Sequence, residues 1–170
     1  MEIRKSRKED IEKIFELYKR VAAIEGGLAR TKDEITKEYV EGFLSKSWES
    51  GLSLVACDGG KIVAEFHGYA SPLKVFSHVM ADLTIIVDPT CQGQGLGTAI
   101  FTRFLELIKS DFPHILKVEL VHRESNSRSA HLYKKLGFVN EGRFVKKIRN
   151  VNGGFEDDIL MGWFNPNYKD

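Results

Sequence analysis

A glycine-rich turn between an apolar strand and an amphipathic helix constrains this chain more than any other stretch of its sequence. The strand ends at Val87, and Asp88-Pro89 stops it because proline cannot donate a hydrogen bond to a sheet. Glycines follow at positions 93, 95 and 97, and consecutive backbone N–H groups in such a turn can point into one concavity. The positive end of the helix dipole opens into the same concavity. The turn is therefore predicted to bind a phosphate or a pyrophosphate, the alternative being a glycine turn without a ligand. The helix that follows carries an apolar stripe at helical spacing, formed by Ile100, Phe104, Leu107 and Ile108.

Two common phosphate-binding motifs do not match this turn. The P-loop requires Gly-Lys-Ser/Thr after its glycines, and that sequence is missing here. The dinucleotide fingerprint Gly-x-Gly-x-x-Gly also fails, because the glycines at 93, 95 and 97 miss its spacing by one residue. The spacing therefore disfavours a P-loop enzyme and a dinucleotide-dependent enzyme.

The turn resembles the coenzyme A loop of the GNAT acetyltransferase superfamily, whose pattern is Gln/Arg-x-x-Gly-x-Gly/Ala. Here that pattern is carried by Gln92, Gly95 and Gly97. A second signature of the superfamily, an asparagine ahead of a helix ending in Tyr-x-x-x-Gly-Phe, is matched by Asn126 and by the segment from Tyr133 to Phe138. The resemblance is carried by motifs from Val79 to Phe138 and, outside that range, by the order of elements alone.

The hydrophobic pattern predicts an α/β (α+β) fold with the order β-α-α-β-β-β-α-β-α-β-β. A strand at Glu2–Lys5 precedes two amphipathic helices, and capping boxes at Ser6/Glu9 and Thr31/Glu34 are predicted to start them. The two glycines at 26 and 27 are predicted to end the first helix.

The remaining elements predict a mixed, mostly antiparallel sheet of about seven strands with flanking helices. Strands at Ser53–Cys57, Ile62–Ala70 and Val79–Val87 follow one another closely, and Asp58-Gly59-Gly60 indicates a hairpin. After the central helix come a strand at Leu116–His122, expected to be parallel to Val79–Val87, and a short helix at Asn126–Leu136. Two last strands, near Phe138–Arg149 and Phe155–Phe164, flank a second hairpin signal. This order is also that of the GNAT fold.

Composition limits the classes of partner. The chain of 170 residues is expected to form a single domain over residues 1–170. Its 25 Lys and Arg against 24 Asp and Glu give a net charge of +1, so neither nucleic acid nor a membrane is expected as a partner. No stretch is long and apolar enough for a membrane span. The two cysteines and five histidines show no zinc-type spacing, so no metal is expected. Two cysteines cannot form a disulfide framework, so cytoplasm is the expected location. A homodimer is left open.

The resemblance implies a coenzyme site that includes both signatures. Acetyl-CoA is the implied cosubstrate, bound by the end of the strand, by the turn and by the second signature. The residues implied are Ile85, Ile86, Val87, Gln92, Gly93, Gln94, Gly95, Leu96, Gly97, Thr98, Asn126 and Tyr133. Asn126 has an independent interpretation, because asparagine is a preferred helix N-cap.

Two catalytic residues are expected, an acid and a base. The resemblance implies that Tyr133 faces the coenzyme sulfur and protonates the leaving thiolate, whereas without it a core role is the commoner interpretation. Asp82 interrupts an otherwise apolar strand, which is costly for a carboxylate unless it is paired or solvated. Asp82 is therefore a candidate site residue, and the resemblance implies that it is the base, acting through water. The alternative is a residue on the solvent-facing side of the sheet. His67, His78 and Glu65 are the runners-up.

The acceptor site is expected to include Arg30, His67 and Asp82. Arg30 lies between the first two helices, where the superfamily forms a wall of its acceptor pocket, and could bind a substrate carboxylate. The alternative is a solvated loop cation.

The resulting hypothesis is an N-acetyltransferase in which an amine attacks acetyl-CoA directly within a ternary complex. A covalent intermediate on Cys91 is rejected, because this residue lies where the pyrophosphate is expected rather than at the thioester. A small amine or an amino acid is favoured as the acceptor, since the chain offers no strongly charged docking face. The alternatives are a non-catalytic CoA-binding or regulatory module and a protein N-terminal or lysine acetyltransferase.

Overall fold

The structure is a computed structural model that describes residues 1–24 and 27–169. It confirms the predicted order of strands and helices. The strands are β1 (Glu2–Lys5), β2 (Gly51–Asp58), β3 (Lys61–Ala70), β4 (Val79–Val87), β5 (Lys117–Arg123), β6 (Val139–Arg149) and β7 (Phe155–Phe164). The α-helices are α1 (Ile11–Ala22), α2 (Lys37–Ser50), α3 (Leu96–Asp111) and α4 (Ser127–Lys135). Gly26, part of the predicted stop of the first helix, lies outside the described residues.

The seven strands form one mixed sheet in the order β1-β2-β3-β4-β5-β7-β6. β4 and β5 are parallel, as predicted, and every other neighbouring pair is antiparallel. Apolar side chains cover both faces of the sheet. On one face, Phe66 packs against Phe101 and Phe104 of α3, with ring centroids 4.5 and 4.3 Å apart. On the other face, α1 and α2 bury Tyr18 and Leu44, which are fully inaccessible.

β4 and β5 separate soon after they meet. Along the described length of both strands, their pairing is limited to Val79 with Lys117 and Met80 with Val118. β4 also carries a bulge. His67 pairs with Thr84 and Tyr69 pairs with Ala81, so an advance of three residues along β4 lies opposite an advance of two residues along β3. A bulge bends the strand that contains the extra residue. The bend therefore begins where the pairing with β5 ends, and it opens the sheet between the two strands.

Asp82 lies in this bulge and has a left-handed backbone conformation, with φ of +50°. Aspartate tolerates this region better than most residues do. The regular strand predicted from the sequence is therefore interrupted at the candidate base itself.

The predicted helix starts were partly wrong. Ser6 does not cap α1, since its hydroxyl accepts a hydrogen bond from Trp48 Nε1 at 3.0 Å. Asp10 instead accepts the Arg7 N–H at 2.8 Å and binds the Arg4 guanidinium at 2.6 and 2.9 Å. A carboxylate held by both an amide and a guanidinium makes stronger hydrogen bonds than a serine hydroxyl would.

The second capping box forms, but it does not start α2. Thr31 N–H donates to Glu34 Oε2 at 2.7 Å around a short 3₁₀ turn at Lys32–Glu34. α2 begins at Lys37 instead, where the Thr36 hydroxyl accepts the Tyr39 N–H at 3.1 Å. The sequence contains two capping signals five residues apart, and the local pattern alone did not distinguish them.

The glycine turn is fixed to the sheet through Asp88. This buried carboxylate accepts hydrogen bonds from Arg20 Nε at 2.9 Å and from the Thr90 hydroxyl at 2.7 Å, and it pairs with Lys61 at 2.9 Å. Burial raises the pKa of Asp88, but the hydrogen bonds from Lys61, Thr90 and Arg20 outweigh that effect and hold the pKa well below its usual range. Asp88 therefore stays ionised and ties the start of the turn to α1 and β3.

None of the described helices combines the length and the apolar character needed to cross a membrane.

Candidate active site

A first groove, here called the coenzyme groove, lies between the end of β4, the glycine turn and α4. Its volume is about 420 Å³, within the size range of small-molecule sites. Gly93 and Gly95 adopt left-handed conformations, with φ of +78° and +79°, and a Cβ placed on either would meet no atom within 4 Å. The turn thus uses glycine both for its backbone conformation and for open space beside the backbone.

The amides at the start of α3 are available to a ligand in this groove. The first hydrogen bond of the helix runs from Ala99 N–H to the Gly95 carbonyl at 3.0 Å. The amides of Leu96, Gly97 and Thr98 precede it and have no partner within the helix. All three residues line the groove, which gives the positive end of α3 direct access to an anion.

The surroundings of Gly97 show whether a bulky phosphate ligand has room beside the backbone. A Cβ added there would meet only Val87 Cγ2, at 3.8 Å, which is an ordinary van der Waals contact. The backbone at Gly97 therefore does not need glycine for its own folding. The space beside it belongs to the groove, as expected where a ligand approaches the backbone closely.

Most of the residues expected to bind the coenzyme line this groove, but two do not. Gln94 instead donates from its side-chain amide to the Thr90 carbonyl at 3.3 Å. Asn126 caps α4 and accepts the Ser129 N–H at 3.1 Å, as its helix-cap interpretation predicts. The expected residues that line the groove are Ile85, Ile86, Val87, Gln92, Gly93, Gly95, Leu96, Gly97, Thr98 and Tyr133.

The groove also contains cationic residues of α4 that sequence reasoning missed. Arg128 and Lys135 line it together with His131. Their positions follow the i, i+3, i+7 spacing that places residues on one face of a helix. That spacing was visible in the sequence, but it became informative only once α4 was known to lie beside the turn.

A second groove, here called the acceptor groove, lies on the side of the sheet covered by α1 and α2. Its volume is about 450 Å³. It contains the three residues expected to bind the acceptor, Arg30, His67 and Asp82. Its wall also includes aromatic and charged side chains that were not expected there: Tyr39, Phe43, Tyr69, Glu119, Phe144 and Lys147.

The two grooves meet on β4. Residues from Ala81 to Thr84 line the acceptor groove, whereas Ile85, Ile86 and Val87 line the coenzyme groove. The boundary between Thr84 and Ile85 lies beyond the point where β4 leaves β5. A group bound in one groove can therefore reach a group bound in the other along a single bent strand.

Tyr133 lies on the coenzyme side of this boundary. It is only 8% exposed, and its ring lies 5.6 Å from that of Phe101 and 5.8 Å from that of His122. Burial raises the pKa of Tyr133, and a hydrogen bond with Ser129 opposes the effect only partly. The phenol therefore keeps its proton at neutral pH and can donate it or share it.

Asp82 and Arg30 lie on the acceptor side. Asp82 is exposed to solvent at the bulge. Burial raises the pKa of the neighbouring Tyr69, and the negative charge of Asp82 raises it further. The Arg30 guanidinium lies 4.1 Å from the centre of the Tyr39 ring, so its position is defined by a cation–π contact.

The runner-up residues lie in different environments. Glu65 is fully buried and His67 is 2% exposed, and the two side chains are in contact, with His67 Nδ1 3.0 Å from Glu65 Oε2. His78 immediately precedes β4, its carbonyl accepts the amides of Leu116 and Lys117, and it lines neither groove. In the described part of the chain, no group of three or more His, Cys, Asp or Glu side chains is arranged to hold a metal ion.

Known proteins with similar sequences are acetyltransferases. A family described as "Acetyltransferase (GNAT) family" matches residues 11–138. A spermidine N(1)-acetyltransferase of Escherichia coli is 28% identical over 116 residues, which cover 68% of this chain and 59% of that protein. The chain thus spans about three fifths of the length of that relative. A [ribosomal protein bS18]-alanine N-acetyltransferase of E. coli is 30% identical over 119 residues, covering 70% of this chain and 75% of that protein.

A solved structure supports the same relationship. The crystal structure of a GNAT-family acetyltransferase from Streptococcus pneumoniae superposes with a TM-score of 0.86 at 26% identity, covering 96% of this chain and 98% of the other. The family match spans both signatures, the glycine turn and the segment ending at Phe138, and the fold agrees along nearly the whole chain. The chain therefore belongs to the acetyltransferase (GNAT) family.

Proposed function

We propose that this chain is an N-acetyltransferase that transfers the acetyl group of acetyl-CoA directly to an amine in a ternary complex. The observation that carries the proposal is the meeting of the two grooves on β4, between Thr84 and Ile85. Such a boundary lets the thioester carbonyl and the amine nitrogen approach each other without a covalent enzyme intermediate. Holding two reactants in this way removes much of the entropic barrier to a bimolecular reaction.

The coenzyme groove has the chemistry that acetyl-CoA needs. Free amides at the start of α3 and the cations Arg128 and Lys135 suit the phosphates. The apolar end of β4, with Ile85 and Val87, suits the pantetheine arm, and Tyr133 lines the same groove. GNAT acetyltransferases use acetyl-CoA, so the groove and the family agree on the cosubstrate.

The charges of the acceptor groove favour a small zwitterionic amine, such as an amino acid. Asp82 can attract an ammonium group, whereas the charge of Glu119 is partly neutralised by Lys117 at 2.9 Å. Arg30 and Lys147 can attract a carboxylate. A polycation such as spermidine would be repelled by the two basic residues of the groove, Arg30 and Lys147. A volume of about 450 Å³ suits a small molecule, although an N-terminal residue of a protein could also enter. Cytoplasm stays the proposed location, in keeping with the free cysteines Cys57 and Cys91, and a homodimer stays a proposal for size-exclusion chromatography to test.

A panel of amines tests this function. Amino acids, spermidine and a peptide with N-terminal alanine would each be incubated with acetyl-CoA and the full chain, with detection of the free thiol and of the product mass. We expect a zwitterionic small amine to give the highest kcat/KM. A chain that binds acetyl-CoA but acetylates no amine in a broad panel would instead support a non-catalytic CoA-binding module.

Asp82 is proposed to attract the acceptor's ammonium group, and the sequence-based hypothesis that it is also the base stays a prediction. Asp82→Asn should raise the KM of the acceptor by about three- to tenfold and change kcat little, because one exposed charge contributes roughly 1 kcal/mol. Asparagine also tolerates the left-handed conformation at φ of +50°, so the bulge should persist. If kcat fell instead at low pH and recovered at high pH, Asp82 would be the base.

A further inference from the structure

A buried polar network lies directly beneath the acceptor groove. It consists of Tyr18 from α1, Ser53 from β2, and Glu65 and His67 from β3, each of which is at most 2% exposed. Burying so many polar groups is costly unless they are paired. Here they are paired with one another, and His67 is the one that also lines the groove.

Glu65 is the centre of this network and determines the state of the histidine. Its carboxylate accepts hydrogen bonds from the Tyr18 hydroxyl at 2.9 Å and from the Ser53 hydroxyl at 2.8 Å. His67 Nδ1 lies 3.0 Å from Oε2 and 3.2 Å from Oε1 of the same carboxylate. We assign the hydrogen to Nδ1, because a carboxylate that already accepts from two hydroxyls is best matched by a third donor. In this tautomer of the neutral imidazole, Nε2 has the free lone pair, and it is the ring nitrogen that Glu65 does not hold.

The imidazole is also held in a defined orientation. Its ring stacks on Phe43, with centroids 3.9 Å apart and planes 12° from parallel, and it lies parallel to the Tyr69 ring at 6.3 Å. A ring fixed by stacking on one side and by a carboxylate at Nδ1 has little rotational freedom. Such orientation is what a general base requires, since proton transfer depends on hydrogen-bond geometry.

His67 lies closer to the boundary between the grooves than Asp82 does. His67 is the direct partner of Thr84 across the β3–β4 ladder, and Thr84 is the last residue of β4 on the acceptor side. Asp82 is two residues further from the boundary, a distance of roughly 6–7 Å along a strand. A nitrogen at the boundary would therefore be nearer to His67 than to the carboxylate in the bulge.

The other titratable groups around His67 leave Glu65 as its direct charged partner. Burial raises the pKa of Tyr18 on α1, of Tyr39 on α2 and of Tyr69 on β3, so all three phenols stay neutral at physiological pH. The remaining charged groups lie around the groove, and they are Arg30, Asp82, Glu119 and Lys147.

We propose that His67 is the general base of the reaction and that Glu65 is the positioning residue that orients it. This inference rests on the proposed acetyltransferase function. The ammonium form of the acceptor would give one proton to Nε2 of His67, and the neutral nitrogen would then form the C–N bond with the thioester carbonyl carbon. The C–S bond breaks as the intermediate collapses, and the second proton of the nitrogen ends on the thiol. The net products are the acetylated amine, free CoA and one proton, which His67 releases to solvent.

The alternative is that this network only ties α1 to the sheet. Both roles would make mutants less stable, so the test must separate catalysis from folding. His67→Asn does so, because the asparagine amide nitrogen takes the place of Nδ1 and can still donate to Glu65, while Nε2 is lost. His78→Asn is the matched control, since His78 lines neither groove.

We expect His67→Asn to stay folded at the assay temperature, with a lower melting temperature because the stacking on Phe43 is lost. It should bind acetyl-CoA like the wild type and lose about 100-fold or more in kcat at neutral pH. Its rate should recover partly at high pH, where free amine forms without a base. His78→Asn should keep its kcat. Glu65→Gln should lower kcat less and move the acid limb of the pH–rate profile to lower pH, because the imidazolium loses a neighbouring negative charge. If His67→Asn does not fold, this shift in the Glu65→Gln profile decides the question.

A folded His67→Asn variant with wild-type kcat and pH profile would overturn the inference alone. A loss of kcat that only matches the loss of folded protein would also overturn it, in favour of the structural role. A wild-type chain that acetylates no amine would contradict the proposed function first, and the inference with it.

Discussion

Replacing Gly97 with valine is expected to lower the affinity for acetyl-CoA by about 100-fold while the fold is retained. The added Cβ has room within the protein, with its nearest neighbour at 3.8 Å, but it occupies space in the coenzyme groove. A phosphate displaced from the amides of Leu96, Gly97 and Thr98 would lose hydrogen bonds to a charged group. Each such bond contributes about 1.5–3 kcal/mol, so the loss of one or two accounts for the expected change.

Calorimetric titration of acetyl-CoA into the Gly97→Val variant measures this effect. Gly42→Val is the matched control, because Gly42 is an exposed helical glycine whose added Cβ would meet no atom within 4 Å. Gly95 would be a poor choice, since its φ of +79° strains any other residue and would confuse misfolding with lost binding. Unchanged affinity in a folded Gly97→Val variant would mean that the phosphates bind elsewhere.

Removing the hydroxyl of Tyr133 is expected to lower kcat by about 100-fold when chemistry limits the rate. The sequence-based hypothesis made Tyr133 an acid that protonates the leaving thiolate. Burial raises the pKa of this phenol above its ordinary value of about 10, whereas a thiol ionises near 8.5. We therefore expect a strong hydrogen bond to the sulfur as negative charge develops on it, rather than complete proton transfer. A donor that acts on charge developing in the transition state typically contributes about 100- to 1,000-fold.

Tyr133→Phe keeps the ring and its contacts with Phe101 and Phe138, so coenzyme affinity and melting temperature should change little. Measuring kcat, affinity and melting temperature on this variant separates a catalytic hydroxyl from a packing role. Full activity would show that the thiolate leaves without help from Tyr133. A lower melting temperature with unchanged kcat would assign the residue to the core.

The sequence predicted those parts of the fold that depend on local patterns. Hairpin signals at Asp58-Gly59-Gly60 and Asn152-Gly153-Gly154 marked the turns between β2 and β3 and between β6 and β7. The glycine spacing at 93, 95 and 97 marked the turn before α3. Helix starts were less predictable, because they depend on contacts with distant elements. The Ser6 hydroxyl accepts a hydrogen bond from Trp48 of α2, and Asp10, which accepts the Arg7 amide, also pairs with Arg4 of β1.

The site was less predictable where it depends on contacts between distant elements. The bulge at Asp82 cannot be read from the strand, since its extra residue is defined only by pairing with β3. Arg128 and Lys135 became candidates only when α4 was found beside the glycine turn. Glu65 and His67 were runners-up for the base on their residue types. Their connection to Tyr18, 47 residues from Glu65, required the packing of α1 on the sheet.

A crystal structure with a non-reactive analogue of acetyl-CoA would test the central claim most directly. That claim is that the thioester carbonyl lies where the two grooves meet on β4. We predict the pyrophosphate at the amides of Leu96–Thr98, the carbonyl beside Thr84 and Ile85, and the Tyr133 hydroxyl within about 3.5 Å of the atom that replaces sulfur. An analogue whose acyl end points away from this boundary, or lies beyond the reach of Tyr133, would contradict the account.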